Sequence, residues 1–155
     1  MENMWSISLD DDAIDNLMLP DEIVERQCEY LIELTNGAII AKTSPFSKST
    51  DEGNFYFEFY LTSTLTPSYK LTIMYFAYKI GFYPLRIYLD DEIISEVGAK
   101  SNRVAKGLGY VVDVASESDF MTTLAKIINS KKVKNVISSL YSMKKSHERR
   151  NKLPL

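Results

Sequence analysis

The residues that most often carry out covalent chemistry are scarce in this chain of 155 residues. Nucleophilic catalysis needs a base beside the nucleophile, and the only histidine is His147, in a basic segment near the end of the chain. The single cysteine, Cys28, lies in a helical pattern beside Glu25 and Glu29, which supply no positive charge to activate a thiol. One cysteine and one histidine cannot complete a tetrahedral zinc site. Residues 107–109 lack the third glycine of a dinucleotide fingerprint, so we expect no cofactor.

Carboxylates are the other groups that could do chemistry, and they form two clusters. The clusters consist of Asp10, Asp11, Asp12 and Asp15, and of Asp90, Asp91, Glu92 and Glu96. Such groups could hold magnesium in a metal-dependent enzyme or act as an acid–base pair. However, neither cluster follows the calcium-loop pattern, and neither is followed closely by a lysine on the same strand. Two other interpretations are solvated chain segments and recognition of a basic protein partner.

Charge is divided unevenly along the chain. The net charge is -3, but residues 1–125 contain 9 Lys and Arg against 20 Asp and Glu, a balance of -11. Residues 126–155 contain 9 against 1, a balance of +8. The acidic part would repel a phosphate backbone, whereas the basic end could bind nucleic acid or an anionic membrane surface, or attract the acidic part. The basic residues considered for nucleic-acid binding are Lys131, Lys132, Lys134, Arg149 and Arg150.

The elements that would position these residues are centred on a β-meander. In residues 55–62 apolar side chains alternate with tyrosine, glutamate and threonine, which predicts a strand with one buried face. Residues 69–80 predict a central strand with apolar side chains on both faces, and residues 85–90 predict a third strand. Proline-containing turns at residues 66–68 and 81–84 are too short for a parallel crossover. We therefore expect an antiparallel arrangement.

Helices flank the predicted meander on both sides in the sequence. Pro20 and Gly37 bound a helical pattern over residues 20–36, which precedes a fourth strand. Two further helical patterns follow a fifth strand. The predicted strands are residues 38–43 and 110–115, and the predicted C-terminal helices are residues 117–129 and 132–146. Residues 92–109 are the least regular part, and we expect them to be either partly helical or functionally mobile.

These elements predict an α+β fold: an antiparallel β-meander of three central strands, four to five strands in all, with an N-terminal helix and a C-terminal pair of helices. The length suits one domain over residues 1–146, followed by a basic tail, residues 147–155, that frays. Cys28 cannot form an internal disulfide. The N-terminus lacks the basic and apolar regions of a secretion signal, and no apolar run is long enough to span a membrane. We therefore expect a cytoplasmic location.

Tyrosines on the face of the meander opposite Phe55, Phe57 and Phe59 admit two interpretations. The tyrosines expected on that face are Tyr56, Tyr60, Tyr78 and Tyr88. The C-terminal helices could cover them, or they could form a partner-binding surface, where tyrosine is favoured.

The run Leu-Pro-Asp-Glu-Ile at residues 19–23, the run Gly-Phe-Tyr-Pro at residues 81–84, and tandem helices closing near Leu140 form a recognisable layout. This layout resembles small bacterial proteins that include immunity proteins of toxin–immunity pairs. The resemblance implies a protein that neutralises a toxin by covering its basic active-site cleft.

The acidic balance and the lack of a catalytic set favour the same function. We therefore expect a non-enzymatic protein–protein interaction module, with a nucleic-acid-associated regulator and a metal-dependent enzyme as the alternatives. The expected partner is a basic protein; a membrane is not expected. The predicted partner-binding residues are Asp10, Asp11, Asp12, Asp90, Asp91 and Glu92 for charge, with Tyr56, Tyr60 and Tyr88 as anchors.

Overall fold

A computed structural model describes residues 1–7, 9, 16–46, 54–98, 104–105 and 107–152. In chain order the elements are α1 (Pro20–Leu34), β1 (Ile39–Pro45), β2 (Phe55–Ser63), β3 (Lys70–Tyr78), β4 (Leu85–Leu89), α2 (Asp91–Val97), β5 (Val104–Ala105), β6 (Gly109–Val114), α3 (Glu117–Ile128) and α4 (Lys131–Asn151). They form one antiparallel sheet in the order β1-β2-β3-β4-β6-β5, in which β5 has only two residues. The predicted α+β fold, with an N-terminal helix and two C-terminal helices, is confirmed.

Strands β2, β3 and β4 form the predicted meander at the centre of the sheet. Their bounds lie within two residues of those predicted, because the alternation of apolar and polar residues ends where the turns begin. The Tyr69 N–H closes the first turn by donating to the Thr66 carbonyl oxygen at 2.9 Å. Strand β6 then pairs with β4, and α2 lies in the connection between them.

A β-bulge between β2 and β3 changes the faces that simple alternation predicts. Phe59 is opposite Met74 and Tyr60 is opposite Thr72, so Ile73 is an extra residue on β3. Ile73 is buried in the same core as Met74, beneath the helices. Simple alternation along β3 would place Ile73 on the same face as Tyr75, which is wrong because the bulge interrupts the period of two.

Tyr78 also lies on the helix side of the sheet, not on the face predicted for it. It is opposite Phe55 in the register, and its ring stacks on that of Phe57 at a centroid distance of 5.7 Å. Its hydroxyl donates a hydrogen bond to the Asp21 carboxylate of α1 at 2.6 Å. Residues directly opposite one another on paired strands point to the same face, which explains the difference from the prediction.

Helices α1, α3 and α4 cover one face of the sheet and build the main core. Each helix contributes an apolar stripe at helical spacing, which is why the periodicity located them. The residues of these helices that belong to the buried core cluster are Ile23, Val24 and Cys28 of α1, Phe120, Leu124 and Ile127 of α3, and Val133 and Leu140 of α4. The start of α3 is capped by Ser116, whose hydroxyl accepts a hydrogen bond from the Asp119 N–H at 3.2 Å.

The irregular region before β6 is partly helical, one of the two forms expected for it. Helix α2 occupies residues 91–97, and Gly98 ends it in the left-handed conformation. Residues 99–103 and 106 lie outside the described residues. Gly109, with φ of 96°, begins β6 so close to β4 that a Cβ atom would collide with the Leu89 carbonyl oxygen. Only glycine fits this contact.

Helix α4 is longer than its sequence pattern predicts. It continues to Asn151, so residues 147–151 of the segment expected to fray are helical. Arg149 and Arg150 lie in its last turn, where positive charge is favourable to the helix dipole. Among the described helices, none is long and apolar enough to cross a membrane.

Candidate partner-binding surface

The second face of the sheet carries four tyrosines, Tyr56, Tyr60, Tyr75 and Tyr88, which together we call the tyrosine face. Three of them pack in a small apolar cluster around Ala77 and Val111. No residue of a described helix belongs to this cluster. Of the two interpretations left open by the sequence, the described residues therefore contradict a cover by the C-terminal helices, since α3 and α4 pack on the opposite face.

Aromatic contacts hold the tyrosine face in place. The rings of Tyr56 and Tyr88 stack at a centroid distance of 6.5 Å, across the strand β3 that separates them. The ring of Tyr75 contacts that of Phe46 at 4.8 Å. Tyr88 is only 6% exposed, whereas Tyr56, Tyr60 and Tyr75 are half-buried. The face therefore presents fixed aromatic rings, with Tyr88 acting mainly as support.

One charged pair lies beside Tyr60 on this face. The Glu58 carboxylate, which is buried, contacts the Lys70 ammonium at 2.5 Å. The same ammonium lies 4.5 Å from the centroid of the Tyr60 ring, within the range of a cation–π contact. Burial and then the nearby Glu58 carboxylate, to which the Tyr75 hydroxyl is hydrogen-bonded, raise the pKa of Tyr75.

A second pair lies toward the other edge of the face. Arg86 on β4 and Asp113 on β6 are opposite in the register, and the Arg86 Nε donates to Asp113 Oδ1 at 2.9 Å. Beside this pair is an open cleft of about 550 Å³, lined by Tyr56, Ala77, Tyr83, Arg86 and Tyr88 among others. A cleft of this size admits several side chains of a partner.

Asp90 does not lie free at a strand end as its predicted binding role requires. Its Oδ1 accepts a hydrogen bond from the Ile93 N–H at 2.8 Å, so Asp90 is the N-cap of α2. Its Oδ2 pairs with the Lys132 ammonium at the start of α4. The Asp90 carboxylate raises the pKa of Lys132, principally by this hydrogen bond. Asp90 therefore joins two helices within the chain.

Of the other carboxylates in this cluster, some contact the start of α4 and some are exposed to solvent. Glu92 lies 3.9 Å from the Lys132 ammonium with its side chain 68% exposed, and Asp91 is exposed. Glu96 accepts the Lys131 backbone N–H at 2.9 Å, at the positive end of the α4 dipole. The acidic and basic parts of the chain thus attract each other here. Asp10, Asp11 and Asp12 lie outside the described residues.

Four exposed carboxylates lie in a row on α1, as the sequence pattern indicates. They are Glu22, Glu25, Glu29 and Glu33, spaced three or four residues apart. We call them the α1 acidic stripe. It is the largest row of exposed carboxylates on one described element, and no described lysine or arginine forms a salt bridge with it.

The structure assigns no chemistry to the two residues that could act as nucleophile and base. Cys28 is buried, and burial together with Glu25 raises the pKa of its thiol to about 12. His147 is exposed on α4 and contacts Asn151, four residues on. Within the described ranges, no three or more His, Cys, Asp and Glu side chains are grouped so that they could hold a metal ion.

Sequence reasoning placed Tyr56, Tyr60 and Tyr88 together but missed Tyr75 and the two ion pairs. The bulge hides Tyr75, because alternation assigns it to the same face as Ile73. The ion pairs depend on register: Glu58 and Lys70 lie on different strands, as do Arg86 and Asp113. Comparison with protein-family models, curated proteins and solved structures finds no match to this chain.

Proposed function

We propose that this protein is a non-enzymatic interaction module that binds a basic protein partner through the tyrosine face, in the manner of immunity proteins that neutralise a cognate bacterial toxin. The observation that carries the proposal is the tyrosine face itself, on which no described helix packs. Tyrosine offers a large apolar ring and a hydroxyl at a low cost in conformational entropy. It is therefore enriched among the residues that contribute most to protein binding.

The charged pairs of the face support binding instead of opposing it. A buried charge without a partner is costly at an interface, because the partner protein removes its water. Glu58 is already paired with Lys70, and Arg86 with Asp113. A partner can therefore cover both pairs without leaving a buried charge unpaired. The first pair joins β2, which carries Tyr60, to β3, and the second joins β4, which carries Tyr88, to β6.

The charge of the partner is inferred from the acidic balance of the chain as a whole, since the α1 acidic stripe lies on the helix side of the sheet and not on the tyrosine face. Residues 1–125 have a balance of -11, and the α1 acidic stripe is exposed. A surface of one sign accelerates encounter with a molecule of the opposite sign and disfavours nucleic acid. Asp91 and Glu92 are exposed beside the start of α4, whereas Asp90 is engaged with Lys132 and is withdrawn from the set of predicted binding residues.

The test begins with the purified, tagged protein used to capture partners from the native host, followed by affinity measurement with the partner recovered. We expect one basic protein, and we expect Tyr60→Ala to weaken binding about 30-fold, which corresponds to the loss of about 2 kcal/mol typical of an interface anchor. Tyr60 is half-buried at the surface, so this change leaves the core intact.

Tyr69→Ala is the matched control, because Tyr69 is a surface tyrosine in the turn before β3 and does not belong to the tyrosine face. Its affinity should equal that of the unmodified chain, and both variants should unfold at nearly the same temperature. Equal affinities for Tyr60→Ala and Tyr69→Ala, or recovery of acidic partners alone, would contradict the proposal.

Helix α4 favours one competing function, that of a nucleic-acid-associated regulator. It continues for 21 residues and ends with exposed Arg149 and Arg150, which extends the basic surface beyond the predicted helix. Removal of the helix would be a poor test, since Val133 and Leu140 belong to the core. The better variant replaces Lys134, Arg149 and Arg150 by glutamine. Salt-dependent duplex binding that this variant abolishes would favour the competing function.

A further inference from the structure

An apolar groove lies on the helix side of the sheet, away from the tyrosine face. Helices α1 and α4 form its walls, with Leu31 and Leu34 on one side and Ile137 on the other, and Phe59 lies in its floor. Its volume is about 360 Å³, enough for a few side chains. Leu34 is 77% exposed and Tyr30, which also lines the groove, is 54% exposed. Apolar side chains of this size gathered at one groove indicate a contact surface.

The N-terminal arm supplies apolar side chains that have no place in the core. Within residues 1–9, five large apolar residues are each more than 60% exposed: Met1, Met4, Trp5, Ile7 and Leu9. The one hydrogen bond recorded for the described part of the arm is local, from the Trp5 N–H to the Asn3 side-chain oxygen at 3.1 Å. The single chain thus leaves both a groove and a set of matching side chains uncovered.

The arm is acidic, whereas α4, one of the two walls of the groove, is basic. Residues 1–19 contain five acidic residues and no basic residue. Helix α4 contains seven Lys and Arg and one Glu, and its Lys134 lines the groove. An arm in the groove would therefore place apolar residues in the apolar lining and acidic residues near basic ones.

We propose that the arm of one copy of this chain occupies the groove of a second copy, so that two chains exchange arms in a symmetric homodimer. In the single chain the five apolar side chains of the arm lie in solvent and the groove lies open, so neither is covered within one copy. A symmetric dimer uses both arms and both grooves, so no unoccupied arm or groove is left to bind a third copy. The tyrosine faces remain uncovered in this dimer.

Trp5 provides the readout, because it is the only tryptophan. We expect sedimentation to show a dimer at high micromolar concentration that dissociates on dilution. In parallel, Trp5 emission should move to shorter wavelength and acrylamide quenching should fall as the concentration rises. High salt should weaken the dimer several-fold, because it screens the contact between the acidic arm and α4.

Two variants with changes at exposed positions test the contact without disturbing the fold. Trp5→Ala removes the main anchor of the arm, and Leu34→Glu places a repelling charge at the groove; each should give a monomer at every concentration used. Met121→Ala is the control, since Met121 is 50% exposed on α3 and does not line the groove. This variant should dimerise as the unmodified chain does, and all three should retain the same circular dichroism spectrum.

A mixture of the two variants distinguishes exchange of arms between copies from docking of an arm in the groove of its own chain. The Leu34→Glu chain retains its arm and the Trp5→Ala chain retains its groove, so a mixture should regain one arm–groove contact and form a heterodimer that neither variant forms alone. A monomer in which Trp5 is shielded at all concentrations would overturn the proposal in favour of docking within the chain. A monomer with solvent-exposed Trp5 would overturn it outright.

Discussion

Replacing Asp90 tests the conclusion that this carboxylate serves the fold and not a partner. The Asp90 side chain performs two functions: it caps α2 through the Ile93 N–H and it pairs with the Lys132 ammonium of α4. Asp90→Ala removes both, whereas Asp90→Asn keeps an acceptor for the cap and removes only the charge. The two variants therefore separate the cap from the ion pair.

The expected magnitudes follow from the exposure of the groups. Loss of an N-cap oxygen costs about 1 kcal/mol. The ion pair is partly exposed, with 26% of the Lys132 side chain and 34% of the Asp90 side chain accessible, so it contributes about 0.5–1 kcal/mol. Asp90→Ala should therefore lower the free energy of unfolding by about 1.5–2 kcal/mol, a decrease in Tm of roughly 3–8 °C for a chain of this size. Asp90→Asn should cost about 0.5–1 kcal/mol.

Urea unfolding followed by circular dichroism is the measurement, with Asp91→Asn as the control. Asp91 is exposed and adjacent, and its removal changes the net charge equally without touching the cap or the closest ion pair. Because the Asp90 carboxylate raises the pKa of Lys132, the contribution of the ammonium to the pair is complete at neutral pH and is lost as pH rises through that raised value. Equal stabilities for Asp90→Ala and Asp91→Asn would refute the assignment.

Three further predictions concern single positions. Gly109→Ala should lower the free energy of unfolding by about 3 kcal/mol or more, because the added Cβ would collide with a β4 carbonyl oxygen. Gly81 has a similar φ of 98° but open space around it, so Gly81→Ala should lower this free energy by only about 1 kcal/mol. Equal decreases in thermal unfolding of the two variants would contradict the clash. Cys28, whose pKa is about 12, should not react with a thiol reagent at neutral pH until the chain unfolds, and rapid labelling of the folded protein would contradict its burial. Burial raises the pKa of Tyr83 to about 12. Folding stability should therefore fall as pH rises from about 10, where an unfolded tyrosine ionises, toward about 12. Tyr83→Phe should reduce this fall in stability, and an unchanged pH profile would argue against the raised pKa.

Much of the fold could be predicted because its signals are local. The period of two in β2 and the helical stripes of α1 and α3 depend only on residues close in sequence, and the structure confirms these elements. The bulge at Ile73 could not be predicted, since it appears only when β3 is laid against β2. The length of α4 was missed for another reason: beyond Leu140 the helix is mostly solvated and displays no apolar stripe.

The candidate site was predictable only as a class of residues. The tyrosines of β2 and β4 could be placed on one face because each strand fixes the direction of its own side chains. The role of Asp90 could not be predicted from the sequence. Its partner Lys132 lies 42 residues away, and many other basic residues could have paired with Asp90 equally well. The uneven charge did indicate attraction between the two parts of the chain, but it did not identify the pair that makes the contact.

The extra residue at Ile73 determines how this chain can change length during evolution or design. Deleting one residue from a regular strand turns every later side chain over, which exchanges core for solvent. In β3, loss of Ile73 would leave Thr72 and Met74 as neighbours opposite Tyr60 and Phe59, so the inward and outward sides on both flanks would be kept. A shorter relative with a regular hairpin could thus present the same aromatic surface.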